Sequence, residues 1–355
     1  MSARALGTVQ AKQPNPETIK VLTEIWQRVL QRTAIGPAEK FYAIGGTDAL
    51  ADRLFAEIVT VFKRQIPTAT ICHAPTISAL AALLEQPVLP HFSPFVPLKA
   101  GSHGPPVLIA HGIGGRASFS ALAEHLRIEN PVYGIQAKGV DGMEEPLGTI
   151  EEMAQFYLDA LREIQADGPH LLIGYSFGGL IALEMAQRLS ERGKRVALLA
   201  LVDTYPHPRY LPLNERLVLG AKRIHGHLLG PKRMTLGKAF ARALYLFRRR
   251  VGDSRTRPQI QGFDRFTFAQ TTEYVKEINF LAMRRYRPLF FRGKIRFVRP
   301  ERNAYLPTDP AVIWKQLAQE FEVETVPGDH LGMIGTHFES LASTLTRYVR
   351  DASTG

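Results

Sequence analysis

The chain has 355 residues, 45% of them hydrophobic and 22% charged, with a formal net charge of +11. That composition fits a folded globular protein and excludes a fibrous or compositionally disordered one. No apolar run approaches the roughly 20 residues of a membrane span, so no transmembrane segment is expected. The single cysteine, Cys72, excludes an internal disulfide and fits a reducing cytoplasm; it reads as a small buried hydrophobe. Neither C-x-x-C nor H-E-x-x-H spacing occurs, so no metal site is expected.

A chain of this length predicts two or three domains. Residues 1–14 lack the apolar core of a signal peptide and read as a short disordered lead. Residues 15–86 form a unit of their own. Pro16 and Glu17 open a helix whose Ile19, Leu22, Ile25, Trp26, Val29 and Leu30 make one buried stripe. After Gly45-Gly46 a second helix carries Leu50, Leu54, Ile58, Val61 and Phe62, with Asp48 placed to cap it. A third starts near Pro75-Thr76 and carries Ile77, Leu80, Ala81, Leu83 and Leu84. Short amphipathic helices around one small core predict an all-α helical bundle. Residues 87–106, with six prolines, read as an extended linker.

From residue 107 to 355 the pattern alternates between strand and helix. Val107–Ala110, Val132–Ile135, Leu171–Ile173, Val196–Val202, Ile295–Val298 and Phe321–Val326 are apolar strand runs. Helical stretches separate them, and a last helix is expected over Phe338–Arg347. Continuous apolar strands between helices predict a mainly parallel sheet covered on both faces. Residues 204 to about 275 break this rhythm and read as a helical lid insertion over the sheet edge.

The first unit resembles the acyl- and peptidyl-carrier domains of nonribosomal peptide and polyketide synthases. The resemblance rests on Phe41-Tyr42, Gly45-Gly46-Thr47-Asp48-Ala49, Arg53-Leu54 and Ala74-Pro75-Thr76 followed by Leu80-Ala81. In that family a serine carries the phosphopantetheine arm through a phosphodiester, and here Asp48 stands in its place. A carboxylate cannot make that linkage, and Thr47 sits one position early, about 100° around a helix. The resemblance therefore implies a carrier-like domain that holds no arm of its own.

The chemistry centres on Gly174-Tyr175-Ser176-Phe177-Gly178, a G-x-S-x-G between an apolar strand and a helix. That context is a nucleophile elbow, with Ser176 lifted above the sheet edge. The Phe177 amide lies at a helix N-terminus, where it can face a developing oxyanion. His111-Gly112-Ile113-Gly114-Gly115 can supply a second donor, the Ile113 amide. A serine nucleophile needs a base and an acid to orient it, and the α/β-hydrolase fold expected here places them in the chain order Ser, acid, His. His330, in the loop after the last strand, is the base. Asp203, ending the strand after the elbow helix, is favoured as the acid because an Asp there needs a partner. Glu301 and Asp309 are the alternatives. His111 and His170 read as structural, and His207, His225 and His227 as solvated or packing residues of the lid.

From Pro106 to Val349 the chain resembles type I thioesterases, the terminal domains of fatty acid, polyketide and nonribosomal peptide synthases. The pieces that carry this are Pro131–Gln136, Ile150–Met153, Gly168–His170, Gly174–Gly179, Leu201–Pro206 and Val326–His330. In that family the acid follows the same strand as Asp203. The resemblance implies acyl-serine chemistry on a thioester, released to water or to a nucleophile in the acyl chain. Because Asp48 cannot hold the arm, the substrate is expected on the phosphopantetheine of another carrier protein or synthase module, or on CoA. The rivals are an esterase or acyltransferase on oxygen esters and a non-catalytic interaction module. Residues 215–258 hold twelve Lys or Arg against two acids, so nearly all the excess charge lies on the lid. Without a binding motif or interleaved aromatics this does not point to nucleic acid. It predicts docking of an acidic partner.

Overall fold

The computed structural model describes residues 14–354, apart from 65, 67, 69, 88–92, 143, 166, 207, 212, 214–215, 218–267 and 303–308. The lead up to residue 13, most of the expected lid with all its basic residues but Arg209 and Arg216, the three lid histidines and the side chains of Asp48 and Cys72 lie outside the described residues.

The N-terminal unit is helical. Helix α1 (Pro16–Leu30) is capped by Asn15, whose side chain accepts the Glu17 N–H. Helix α2 spans Asp48–Phe62, α3 Thr70–His73 and α4 Ile77–Leu84. The cap of α2 is Thr47, whose hydroxyl accepts the Leu50 N–H at 3.3 Å, and Asp48 is the first helical residue. The expectation that Asp48 caps this helix is thus off by one residue. Leu22, Trp26, Phe41, Leu54, Ile58 and Leu80 fill the core, with Trp26 edge-on to Phe41 at 5.2 Å. Gly46 is required there, because a Cβ would fall 2.3 Å from the Phe41 ring.

The remainder is a seven-stranded sheet in the order β1-β3-β2-β4-β5-β6-β7. The strands are β1 Phe95–Lys99, β2 Val107–Ala110, β3 Val132–Ile135, β4 His170–Tyr175, β5 Val196–Val202, β6 Phe291–Pro300 and β7 Ala318–Val326. All pairs are parallel except β1 with β3. Strand β1 lies inside the stretch expected to be linker. Its prolines hid it, but Pro97 sits on an edge strand, where a missing N–H costs no ladder bond.

The buried strands alternate their side chains between two cores, which is why their sequences are apolar throughout. Leu172, Leu199 and Leu201 meet α6 (Ile150–Leu161) and α7 (Phe177–Glu191) on one face. Leu171, Ile173, Leu198 and Ala200 meet α5 (Ser120–His125) and the last helix on the other. Between β5 and β6 runs α8 (Phe268–Arg285), which starts inside the expected lid and passes its end by ten residues. Helices α9 (Pro310–Trp314), α10 (Gly332–Gly335) and α11 (Phe338–Thr354) complete the fold, α11 running past the expected Arg347.

The helical unit is seated on the sheet domain. Ala137, Val140 and Val275 belong to the bundle's own apolar cluster. Lys40 pairs with Glu124, and Arg116 donates to the Tyr42 hydroxyl at 3.2 Å. Among the described residues no helix is long and apolar enough to cross a membrane.

Candidate active site

Strand β4 ends at Tyr175, and Ser176 turns the chain into α7 with φ 54° and ψ −117°. A non-glycine residue there stores strain of order 1–3 kcal/mol. The surroundings hold it in place. The Ser176 N–H donates to the Val202 carbonyl at 2.8 Å, and the Thr204 hydroxyl donates to the Ser176 carbonyl at 2.9 Å. The flanking glycines let the backbones close up. A Cβ on Gly174 would fall 2.3 Å from Gly179 Cα, one on Gly178 2.4 Å from the Ala110 carbonyl, and one on Gly179 1.9 Å from Thr204 Oγ1. No side-chain hydrogen bond from Ser176 caps α7.

Asp203 directly follows β5, also at positive φ (44°), with its N–H held by the Val298 carbonyl of β6 at 2.8 Å. Its buried carboxylate accepts from His330 Nδ1 at 2.6 Å. That bond makes Nδ1 the protonated nitrogen and leaves Nε2 as the basic one. The alternatives are used elsewhere: Asp309 caps α9 by accepting the Ala311 N–H, and Glu301 is exposed. His330 is fixed from its own backbone as well. Its carbonyl accepts from the Tyr175 hydroxyl at 2.6 Å, and its ring stacks on the Tyr175 ring at 5.0 Å. Next to it, Asp329 accepts the Gly332 N–H at 2.8 Å, which holds its carboxyl below the usual range.

The Gly-rich turn after β2 lies beside this pair of loops. The buried His111 donates from Nδ1 to the Gly112 carbonyl at 2.8 Å and accepts at Nε2 from the Tyr157 hydroxyl at 3.0 Å. Its ring stacks on Phe177. Burial pulls its pKa down to about 4, so it stays neutral and keeps one tautomer at physiological pH. The Gly115 N–H also donates to the Gly112 carbonyl, at 3.0 Å. The Ile113 N–H shares that peptide plane and points the opposite way. The Ile113 carbonyl accepts from Asn279 Nδ2 at 3.0 Å. The Phe177 N–H is the first of α7 and has no carbonyl to reach within its own helix. His170 is buried at the start of β4, its pKa lowered chiefly by burial, in keeping with a structural role.

Four residues that build this site carried no motif. Tyr175 is the variable position of G-x-S-x-G, Thr204 simply follows Asp203, Tyr157 is one of many apolar-face residues of α6, and Asn279 lies in a helix whose extent the sequence did not reveal. Among the described residues, no group of three or more His, Cys, Asp or Glu could hold a metal ion.

A family model for the thioesterase domain matches residues 105–348. The chain belongs to the thioesterase domain family. Among its relatives, malpibaldin synthetase of Mortierella alpina is 28% identical over 341 residues, 93% of this chain and 6% of that protein. The dimodular nonribosomal peptide synthase of Bacillus subtilis (strain 168) is 30% identical over 214 residues, 59% of this chain and 9% of that protein. The thioesterase chain thus spans a small fraction of the length of these relatives. Two solved structures share the fold. A four-domain nonribosomal peptide synthetase bound to AMP and glycine aligns over 98% of this chain and 27% of its own, with a TM-score of 0.56 at 21% identity. The Vlm2 thioesterase domain aligns over 72% of this chain and 99% of its own, with a TM-score of 0.51 at 24% identity.

Proposed function

We propose that this thioesterase works in nonribosomal peptide or polyketide-type biosynthesis, with Ser176 as nucleophile, His330 as base, Asp203 as the acid that orients it, and the Ile113 and Phe177 amides as the oxyanion hole. The observation that carries the reading is the 2.6 Å bond between His330 Nδ1 and Asp203 on the loops that flank the strained Ser176 turn. Ser176 Oγ adds to the thioester carbonyl as its proton passes to His330 Nε2. The C–S bond then breaks, and His330 returns the proton to the departing thiolate. The two amides would stabilise the oxyanion, each donor contributing about 3 kcal/mol in the transition state. Water, or a nucleophile within the acyl chain, then takes the acyl group from Ser176 by the same proton relay.

The N-terminal bundle reads as a carrier-like domain that has lost its attachment site. Asp48 stands in the serine position, and the neighbouring Thr47 hydroxyl is engaged as a helix cap. The acyl group would then arrive on the phosphopantetheine of another carrier protein or synthase module, or on CoA. The basic stretch over 215–258 favours an acidic donor of this kind. Intact-mass analysis after incubation with acyl-CoA and acyl-carrier substrates tests the whole reading. An acyl adduct that forms on the wild-type chain and is absent from Ser176→Ala supports it. Faster turnover of the matching oxygen ester than of the thioester would favour the esterase instead. Phosphopantetheinyl transferase should leave the wild-type mass unchanged and add one arm to Asp48→Ser; an arm on the wild-type chain would refute the loss.

A further inference from the structure

The Ile113 turn is held from two sides, and one of them leads to the N-terminal bundle. Helix α8 carries a buried stripe at i, i+4 and i+8, formed by Thr271, Val275 and Asn279. Asn279 holds the Ile113 carbonyl. One turn earlier, Val275 belongs to the apolar cluster of the bundle, and its Cγ1 fills the space where a Cβ on Gly115 would lie, at 2.7 Å. Helix α8 itself packs on α2 of the bundle. Ala137, another member of that cluster, donates its N–H to the Gly115 carbonyl at 2.7 Å. The next residue, Arg116, donates to the Tyr42 hydroxyl at 3.2 Å and lies over the Tyr42 ring at 5.2 Å.

Three contacts therefore converge on Gly115 and Arg116: one from Tyr42 of the bundle, and two from Val275 and Ala137, sheet-domain residues that pack into the bundle's apolar cluster. Gly115 is the residue whose N–H fixes the Gly112 carbonyl, and with it the direction of the Ile113 N–H. Gly115 sits at φ +80°, a conformation that glycine adopts freely and that packing must select. A turn rich in glycine has little stiffness of its own. On the hydrolase side, His111 and Asn279 hold its two carbonyls. Further constraint comes through Val275, Ala137 and Tyr42.

We propose that the N-terminal bundle is a fixed positioning element of the hydrolase site: seated on α8 and on the Gly115–Arg116 turn, it sets the orientation of the Ile113 amide. The bundle then acts in cis as part of the catalytic framework, and it stays docked through the reaction. This rests on the reading of Ile113 as an oxyanion donor. Val275, Ala137 and Tyr42 are positioning residues, since none of them would touch the substrate.

The test uses the full chain. Val275→Ala and Tyr42→Phe weaken the seat without touching the Ser176, His330 and Asp203 set, and Leu54→Ala loosens the bundle core from within. A displaced donor costs up to about a hundredfold in rate. For Val275→Ala we expect kcat on a small uncharged acyl thioester to fall about tenfold with KM within about twofold, and Tyr42→Phe and Leu54→Ala to fall in the same direction. Hydrogen exchange at amides 112–116 should quicken in all three, while the amides of β4 and β5 keep their wild-type protection. Val275→Ala combined with Asn279→Ala should lose less than the product of the single effects, because both act on one turn. Wild-type exchange at 112–116 in Val275→Ala and Tyr42→Phe would overturn the inference, as would a loss confined to KM. If Ser176→Ala retains turnover, the reading of the active site fails instead. The exchange comparison still decides whether the bundle holds the turn, because it needs no chemistry at Ser176.

Discussion

Thr47 and Ser176 both stand at the N-terminus of a fifteen-residue helix, each beside a glycine pair. Thr47 is extended, at φ −129° and ψ 167°, and its hydroxyl folds onto the first turn of α2 to accept the Leu50 N–H. Ser176 lies at φ 54° and ψ −117° and caps nothing in α7. A hydroxyl at a helix start satisfies one of the free N–H groups when the backbone is extended. Rotating that backbone to positive φ withdraws the side chain from the turn, and the helix start is left with N–H groups that can serve a ligand. The same residue class at the same place in a helix is thus a structural cap in the bundle and, in the function proposed above, the nucleophile of the thioesterase domain. The difference lies in what surrounds it: Gly46 makes room for the Phe41 ring, whereas Gly174, Gly178 and Gly179 make room for backbone and for Thr204.

The largest effect should come from removing the withdrawn hydroxyl. Ser176→Ala should lower turnover of an acyl thioester by about 10⁴-fold or more, with Tm close to that of wild type, since alanine keeps the Cβ at the strained turn and the lost hydroxyl caps nothing in α7. An adduct on this variant at the wild-type rate would show that another residue is the nucleophile. Asp203→Asn comes next. It keeps the shape of the buried carboxylate but can hold His330 in the wrong tautomer, and kcat should fall about 10³- to 10⁴-fold. Glu301→Gln and Asp309→Asn, tested beside it, should lose less than about threefold. A larger loss at either would move the acid away from Asp203.

The chain positions of strands β2 to β5 and the sharp strand-to-helix turn at Ser176 were legible because each rests on local pattern. Apolar runs of four to seven residues mark strands buried on both faces, and glycines mark the turn. What sequence concealed was set by contacts distant in the chain. Strand β1 exists because Phe95 and Val96 find a place beside β3, against the local signal of its prolines. The Thr47 cap was displaced by one residue because Thr and Asp are both good caps and the helix start decides between them. Asn279 and Tyr157 reach the Ile113 turn across 166 and 46 positions, and no spacing rule connects them.

A smaller effect should follow from filling the space that the elbow leaves. Gly179→Ala places a Cβ 1.9 Å from Thr204 Oγ1. Thr204 must shift, and with it the hydrogen bond to the Ser176 carbonyl and the carbonyl that accepts from Trp314 Nε1 at 3.1 Å. Overpacking of this kind costs about 1–3 kcal/mol, and the Ser176 turn moves with it. We expect a lower Tm together with kcat reduced about tenfold, an order of magnitude that fits a small displacement of the nucleophile. Full activity at a lower Tm would mean that Thr204 supports the fold but not the placement of Ser176.

The smallest effect completes the comparison. Thr47→Ala removes the hydroxyl from the other helix start and leaves the Leu50 N–H without its protein acceptor. That N–H is near the surface, where water can replace the lost bond, so the cost is that of an exposed cap, about 1 kcal/mol. Thr47 is exposed and the bundle core is untouched, so α2 should stay packed against α8. The rate of Ser176 labelling by a fluorophosphonate should therefore remain within about twofold of wild type. Thr47→Ser keeps a hydroxyl at this position and should recover most of the stability, which denaturant melts of the three chains can check. If Thr47→Ala instead lowers the labelling rate by a large factor without lowering stability, the Thr47 hydroxyl has a role in the chemistry. The contrast between a structural and a reactive helix start would then fail.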